Sequence, residues 1–184
     1  MNRFVLAAAG AALALVPAAL ALAPAALALA PAALALAPAA LAAQTARGFD
    51  PVVFFSGRTT GEGRLKKVFS SAQATHVTGR GRIEGVVLVL DQTVTIAGEK
   101  PRERQWRLRA NGPGRWTGTL SDARGAVVAS AAGAVLTIAY TSNEGMAIVQ
   151  KVTLAPDGRS ARNLMKIRKL GLTVATLDEV ITRD

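Results

Sequence analysis

Cysteine is absent from all 184 residues. That excludes disulfide bridges, thiolate metal sites and cysteine nucleophiles. Histidine is nearly absent too. His76 alone cannot make a multi-histidine metal centre, and it reads as an exposed or hydrogen-bonded structural residue rather than the base of a catalytic triad. Charge is missing from one long stretch: after Arg3, residues 4–42 carry none. Beyond that stretch no segment sustains a 3.6-residue apolar period with capping signals, so helices are at most short.

The uncharged stretch has the order of a secretory leader. A basic Met1-Asn2-Arg3 start leads into an apolar run, which ends in the small-x-small triplet Ala40-Leu41-Ala42. This is the layout of a signal peptide with a cleavage site. Pro17, Pro24, Pro31 and Pro38 mark a repeated Pro-Ala-Ala-Leu-Ala-Leu-Ala unit, longer than the roughly 7–15 apolar residues a leader needs. The unit is apolar on every face and lacks charged flanking positions, which argues against a coiled coil. Residues 1–42 are therefore expected to be a signal peptide, 43–48 a linker and 49–184 a single domain. The alternative is an uncleaved membrane anchor, for which about 20 apolar residues suffice. Export places the domain in the periplasm, membrane-associated if the leader is retained, and speaks against a nucleic-acid partner.

Of 22 Lys and Arg residues only Arg3 lies in the leader, so 21 face 12 Asp and Glu in the remainder, a formal charge of +9. That balance favours anionic partners such as lipid head groups or fatty carboxylates. A chain of this length has room for one full core.

From Phe49 onward, alternating segments are separated by turn residues about every 8–12 positions, the spacing of an all-β barrel or sandwich. Leu88, Leu90, Val94 and Ile96 share one face, opposite Asp91, Thr93 and Thr95. Trp106 and Leu108 alternate with Arg107 and Arg109 before the Asn111-Gly112-Pro113-Gly114 turn, and the chain resumes at Trp116, Gly118 and Leu120. Eight to ten antiparallel strands joined by tight turns predict an up-and-down barrel, with a two-sheet β-sandwich as the alternative. A barrel of about that size can hold one small ligand.

Candidate ligand contacts follow from the period of two. Arg104 shares the face of Trp106 and is expected near the barrel mouth. Trp106, Trp116, Tyr140, Ile148 and Met165 are expected to line the interior. Gln150, Asn163 and Gln92 are polar residues on apolar faces, and buried amides need partners, either a ligand or neighbouring backbone. Arg107 and Arg109 point outward. They support a second reading, a structural or assembly factor whose basic face meets anionic membrane or a protein. No spacing singles out a facing carboxylate pair for glycoside chemistry. Gly57, Gly61 and Gly63, or Gly79, Gly81 and Gly85, lack the strand-to-helix context and Lys-Ser/Thr ending of a phosphate loop, and read as bulges, bends or tight turns. No catalytic residue, metal site or cofactor is assigned.

Nearly the whole chain after the leader resembles the bacterial envelope family known as domain of unknown function 3833. The resemblance rests on Phe49-x-Pro51-x-x-Phe54-Phe55-x-Gly57, on Gly61-x-Gly63, and on Trp106 and Trp116-x-Gly118. It continues through Asp122, Gly125, Gly133, Tyr140, Asp157-Gly158-Arg159, Asn163 and Lys169-Leu170-Gly171. It implies a lipocalin-like, calycin-type barrel in the cell envelope, commonly a lipoprotein, with no established reaction. This chain departs from that pattern in lacking the lipidated cysteine, which favours a soluble periplasmic form.

Overall fold

The protein is described by a computed structural model over residues 48–184. The leader, its repeats, the cleavage triplet and the linker up to residue 47 lie outside the described residues.

One short helix, α1 (Pro51–Phe55), precedes ten strands: β1 (Gly57–Lys67), β2 (Gln73–Glu84), β3 (Val87–Ile96), β4 (Arg102–Ala110), β5 (Arg115–Leu120), β6 (Ala123–Ala132), β7 (Val135–Ser142), β8 (Ala147–Leu154), β9 (Ser160–Lys169) and β10 (Leu172–Arg183). Each strand pairs antiparallel with the next, and β1 pairs with β10 from Thr59↔Arg183 to Lys67↔Ala175. The sheet therefore closes into an up-and-down barrel. A sandwich would leave open edges, and none remains among the described strands.

Alternation produces the core. On β10, Ala175, Leu177, Glu179 and Ile181 are buried while Thr176, Asp178, Val180 and Thr182 are exposed. On β8, Ile148, Gln150 and Val152 are buried in the same way. A period of two sends every second side chain inward, so the polar members of these rows go inside with the apolar ones.

Odd-numbered strands start at the end where α1 sits, and all hairpins from an odd to an even strand turn at the opposite end. The α1 end is closed. Asp50 caps the helix, accepting hydrogen bonds from the Val52 and Val53 amides at 2.8 and 3.4 Å, and Pro51 fills the first helical position, where no amide is needed. The turn carries Phe54 and Phe55 into the barrel beside Phe49, with ring centroids 5.0–6.3 Å apart. The Phe49 amide donates to the Gly133 carbonyl at 2.8 Å. Gly81 lets this plug seat, because a Cβ there would lie 1.8 Å from the Phe55 carbonyl oxygen. The sequence block Phe49 to Gly57 thus forms a stopper for one end of the barrel.

Candidate functional site

The interior is filled at the plugged end and hollow towards the open end. A cavity of about 270 Å³ lies there, walled by Leu65, Val94, Ile96, Ile148, Met165 and Leu177. Its inner limit is a layer of polar side chains contributed by strands around the barrel: Gln92 (β3), Arg104 (β4), Tyr140 (β7), Gln150 (β8), Asn163 (β9) and Glu179 (β10). Beneath them a void of about 40 Å³ separates the layer from Phe55 and Leu108, room for roughly one water.

Arg104 is half-buried and held in place from two sides. Its Nε donates to Gln92 Oε1 at 2.9 Å, and its guanidinium sits 5.5 Å from the Trp106 ring centroid, within cation–π range. Gln92 Oε1 also accepts from Trp106 Nε1 at 2.7 Å. Trp106 meets Tyr140 edge-on, with centroids 5.6 Å apart. Only the Nε of Arg104 is used in these contacts. No carboxylate lies within salt-bridge distance of its guanidinium among the described residues.

On the other side of the layer, Asn163 Nδ2 donates to Gln150 Oε1 at 3.1 Å and to Glu179 Oε2 at 2.9 Å. This uses both amide hydrogens of Asn163. It leaves Asn163 Oδ1, Gln150 Nε2 and, further up the cavity, Thr75 Oγ1 without a partner, although all three residues are at most 5% exposed. Each orphaned group costs about 1–3 kcal/mol. Gln150 and Asn163 face the inner void and Thr75 the outer cavity, so each is open to a water or ligand partner there.

Glu179 is the residue that sequence reasoning missed. It is 5% exposed, and burial pushes its carboxyl above the usual range. The Asn163 hydrogen bond and the Arg104 charge pull the other way, and Glu62 adds to the rise. Glu179 therefore holds its proton to a higher pH than a free carboxyl does, and it makes no ion pair with Arg104. Burial likewise raises the Tyr140 hydroxyl, against the opposing pull of Arg104, so that it stays a neutral donor. Gly61 and Gly63 make the space for Glu179: a Cβ at Gly61 would lie 2.3 Å from its Oε1, and one at Gly63 2.8 Å from its Cβ. The inward glycines read from sequence as bends or bulges are thus places of close approach.

Seven of the eight sequence-predicted contacts lie around these two cavities. Arg104 borders both, and so lies at the floor of the outer cavity rather than at the barrel mouth where its strand position pointed, because depth is set by register across the closed sheet. Trp106, Gln150 and Asn163 line the inner void, and Tyr140, Ile148 and Met165 line the outer cavity. Trp116 is apart from them, paired with Ala110 near the plugged end of β4 and β5 and half-buried against the core. Outside the barrel, Arg107 donates to Glu84 at 3.2 Å, while Arg82 contacts both Glu84 and Asp91. His76 also faces outward, 2.5 Å from Glu62. A shallow groove of about 740 Å³ crosses the outside of β1–β4 between Arg58, Arg80, Asp91 and Glu103, where charges of both signs meet solvent. Among the described residues no three His, Asp or Glu side chains are placed to hold a metal.

No curated protein sequence matches the chain. Among solved structures the fold is similar to the S-type phycobiliprotein lyase CPES from Guillardia theta, with a TM-score of 0.56 and 5% identity, covering 72% of this chain and 90% of that one. It is similar to Rv2717c from M. tuberculosis, with a TM-score of 0.54 and 16% identity over 74% and 99% of the two chains. A protein of unknown function from the DUF3598 family of Nostoc punctiforme gives a TM-score of 0.51 and 9% identity over 76% and 51%. At such identities the likeness is one of fold, not of ligand or reaction. The family model described as "Protein of unknown function (DUF3833)" matches residues 32–183, spanning the plug and all ten strands, and the chain belongs to that family.

Proposed function

We propose that the domain is a non-catalytic binding protein that takes up a small amphiphile with an anionic head group. The head sits inward at Arg104 and Tyr140, and the apolar body lies along the cavity towards the open end. The observation that carries this reading is Arg104, with no carboxylate at salt-bridge distance, at the inner end of an apolar-walled cavity that also exposes the orphaned Thr75 hydroxyl, with the orphaned Gln150 and Asn163 atoms in the small void beneath. A pocket with apolar walls and a few convergent polar groups suits such a ligand. At about 30 Å³ per water-sized atom group, 270 Å³ encloses roughly nine non-hydrogen atoms. A longer chain would project from the mouth. The setting we propose is the periplasm, on the strength of the charge-free leader and its Ala40-Leu41-Ala42 triplet.

The test is a titration with decanoate and with uncharged decanol, followed by Trp106 fluorescence in a Trp116→Phe background so that one tryptophan reports. Decanoate is expected to bind more tightly than decanol. Arg104→Met should weaken decanoate by about 10- to 150-fold, the worth of a charge-assisted hydrogen bond of roughly 1.5–3 kcal/mol, and leave decanol little changed. Equal affinity for the two ligands, or indifference to Arg104→Met in a variant with unchanged circular dichroism, would refute the reading.

A further inference from the structure

The open end of the barrel carries a feature that ligand binding inside does not require. The hairpin turns β1–β2 and β9–β10 lie side by side there, because β1 pairs with β10, and the Val68 amide donates to the Val174 carbonyl at 2.9 Å. Phe69 and Leu170 stand at their tips, 103% and 95% exposed, with Val68 and Leu172 at 48% and 73%. Both tip residues have positive φ, 62° for Phe69 and 50° for Leu170. Bulky side chains rarely adopt this backbone region, which glycine occupies freely. In the β9–β10 turn the strain is conspicuous, since Leu170 and Gly171 are both at positive φ in a two-residue hairpin, where Asn or Gly is the usual first residue. Two large apolar groups are thus held out into solvent at a conformational cost.

Positive charge surrounds them. Lys66 and Lys166 flank Thr176 in register on the outer face of β1, β10 and β9, and Arg168 and Lys169 continue the row to the tip. Among the described residues none of these four lies within 4 Å of a carboxylate; the nearest basic neighbour that does is Lys67, paired with Glu99 at 2.6 Å. Apolar tips beside cations that lack carboxylate partners, of which Lys66 donates to the Ser70 carbonyl of its own turn, match an anionic lipid surface, where the side chains enter the acyl boundary and the cations meet head groups. A protein groove would instead ask for a rim of mixed charge and hydrogen-bonding groups.

We infer that the Phe69 and Leu170 turns are a docking edge that seats the open end of the barrel on an anionic phospholipid bilayer. The cavity then opens towards the membrane. This surface is distinct from the outward Arg107 face, and the inference stands whether or not the cavity binds an amphiphile.

The cysteine-free full-length chain makes the test direct. An environment-sensitive fluorophore is attached at Phe69→Cys or, separately, at Val86→Cys, an exposed site in the β2–β3 turn at the opposite end. Vesicles of phosphatidylcholine with or without phosphatidylglycerol are then added. The label at 69 is expected to shift to the blue and be quenched by lipid-borne quenchers with the anionic vesicles only, while the label at 86 stays silent. Attachment through the leader alone would leave both labels silent and overturn the inference, as would equal responses at the two sites. With the label retained at 69, Leu170→Asp should weaken the response about tenfold or more. The triple change Lys166→Glu, Arg168→Glu, Lys169→Glu should abolish the preference for anionic lipid, with circular dichroism unchanged. A response at 69 that persists undiminished in both variants would equally refute it, and a signal at 69 that requires an added envelope protein extract rather than lipid would assign the edge to a protein partner instead.

Discussion

The contact between Gly61 and Glu179 gives the sharpest stability test. An alanine Cβ at position 61 would stand 2.3 Å from Glu179 Oε1 and 2.9 Å from its Cδ, more than 1 Å inside ordinary contact. The carboxyl borders both the void and the cavity and can swing into that space, but doing so gives up its 2.9 Å bond from Asn163. Leaving that buried donor unsatisfied costs about 1–3 kcal/mol, which lowers the melting midpoint of a domain this size by roughly 3–10 °C. In a Glu179→Ala background the obstructing atoms are gone, so Gly61→Ala should cost less than about 0.5 kcal/mol, a coupling of at least about 1 kcal/mol in the double-mutant cycle. Gly63→Ala is the control. Its Cβ would meet the Asp178 carbonyl at 2.6 Å and the Glu179 Cα at 2.9 Å, atoms that remain when Glu179 is alanine, so its penalty should persist in both backgrounds. Urea denaturation followed by circular dichroism measures all four comparisons. Equal penalties for Gly61→Ala with and without the carboxyl would show that Glu179 is not packed as described.

Glu179 also sets a pH dependence. Burial raises its carboxyl above the ordinary value of 4.5, so the native state keeps a proton that the unfolded chain releases first. Its contribution is full below about pH 4.5 and is lost as pH rises through the raised native value. Urea midpoints should therefore fall over that range in the wild type and decline less in Glu179→Gln. Trp106→Phe removes the donor to Gln92 and should cost about 0.5–1.5 kcal/mol, read in the same assay. Asp50→Ala removes the cap of α1 and should cost about 1 kcal/mol, with amide exchange accelerated at Val52 and Val53 before the strands. Phe54→Ala, which empties part of the plug, should cost about 3–5 kcal/mol.

Much of this architecture was legible from alternation alone. The rows Leu88-Leu90-Val94-Ile96 and Trp106-Leu108, and the turn residues between them, define successive strands because a half-buried strand must alternate. The same rule placed Gln150, Asn163 and Tyr140 inward. Applied to β10, it also puts Glu179 between Leu177 and Ile181, and that signal went unused because the pair Asp178-Glu179 reads as a polar surface step. Gly61-x-Gly63 was visible as a pattern, but its cause lies on a strand more than 100 residues away. Spacing along the chain carries no record of such a contact. Helix α1 is too short for a helical period, although Asp50-Pro51 is a capping signal at the right place. Trp116 alternates correctly, yet lies towards the plugged end. Depth along the barrel depends on closure and register, which a single strand does not encode.

Native mass spectrometry of the protein purified from cells tests the central claim most directly, with Met165→Trp as the comparison because that side chain would fill the cavity it now lines. The wild type should carry one bound amphiphile per chain, bearing an anionic head and releasable by solvent extraction. Met165→Trp should fly as the bare chain with its fold intact. A wild-type protein recovered without any bound mass, and still bare after incubation with excess decanoate, would contradict the account.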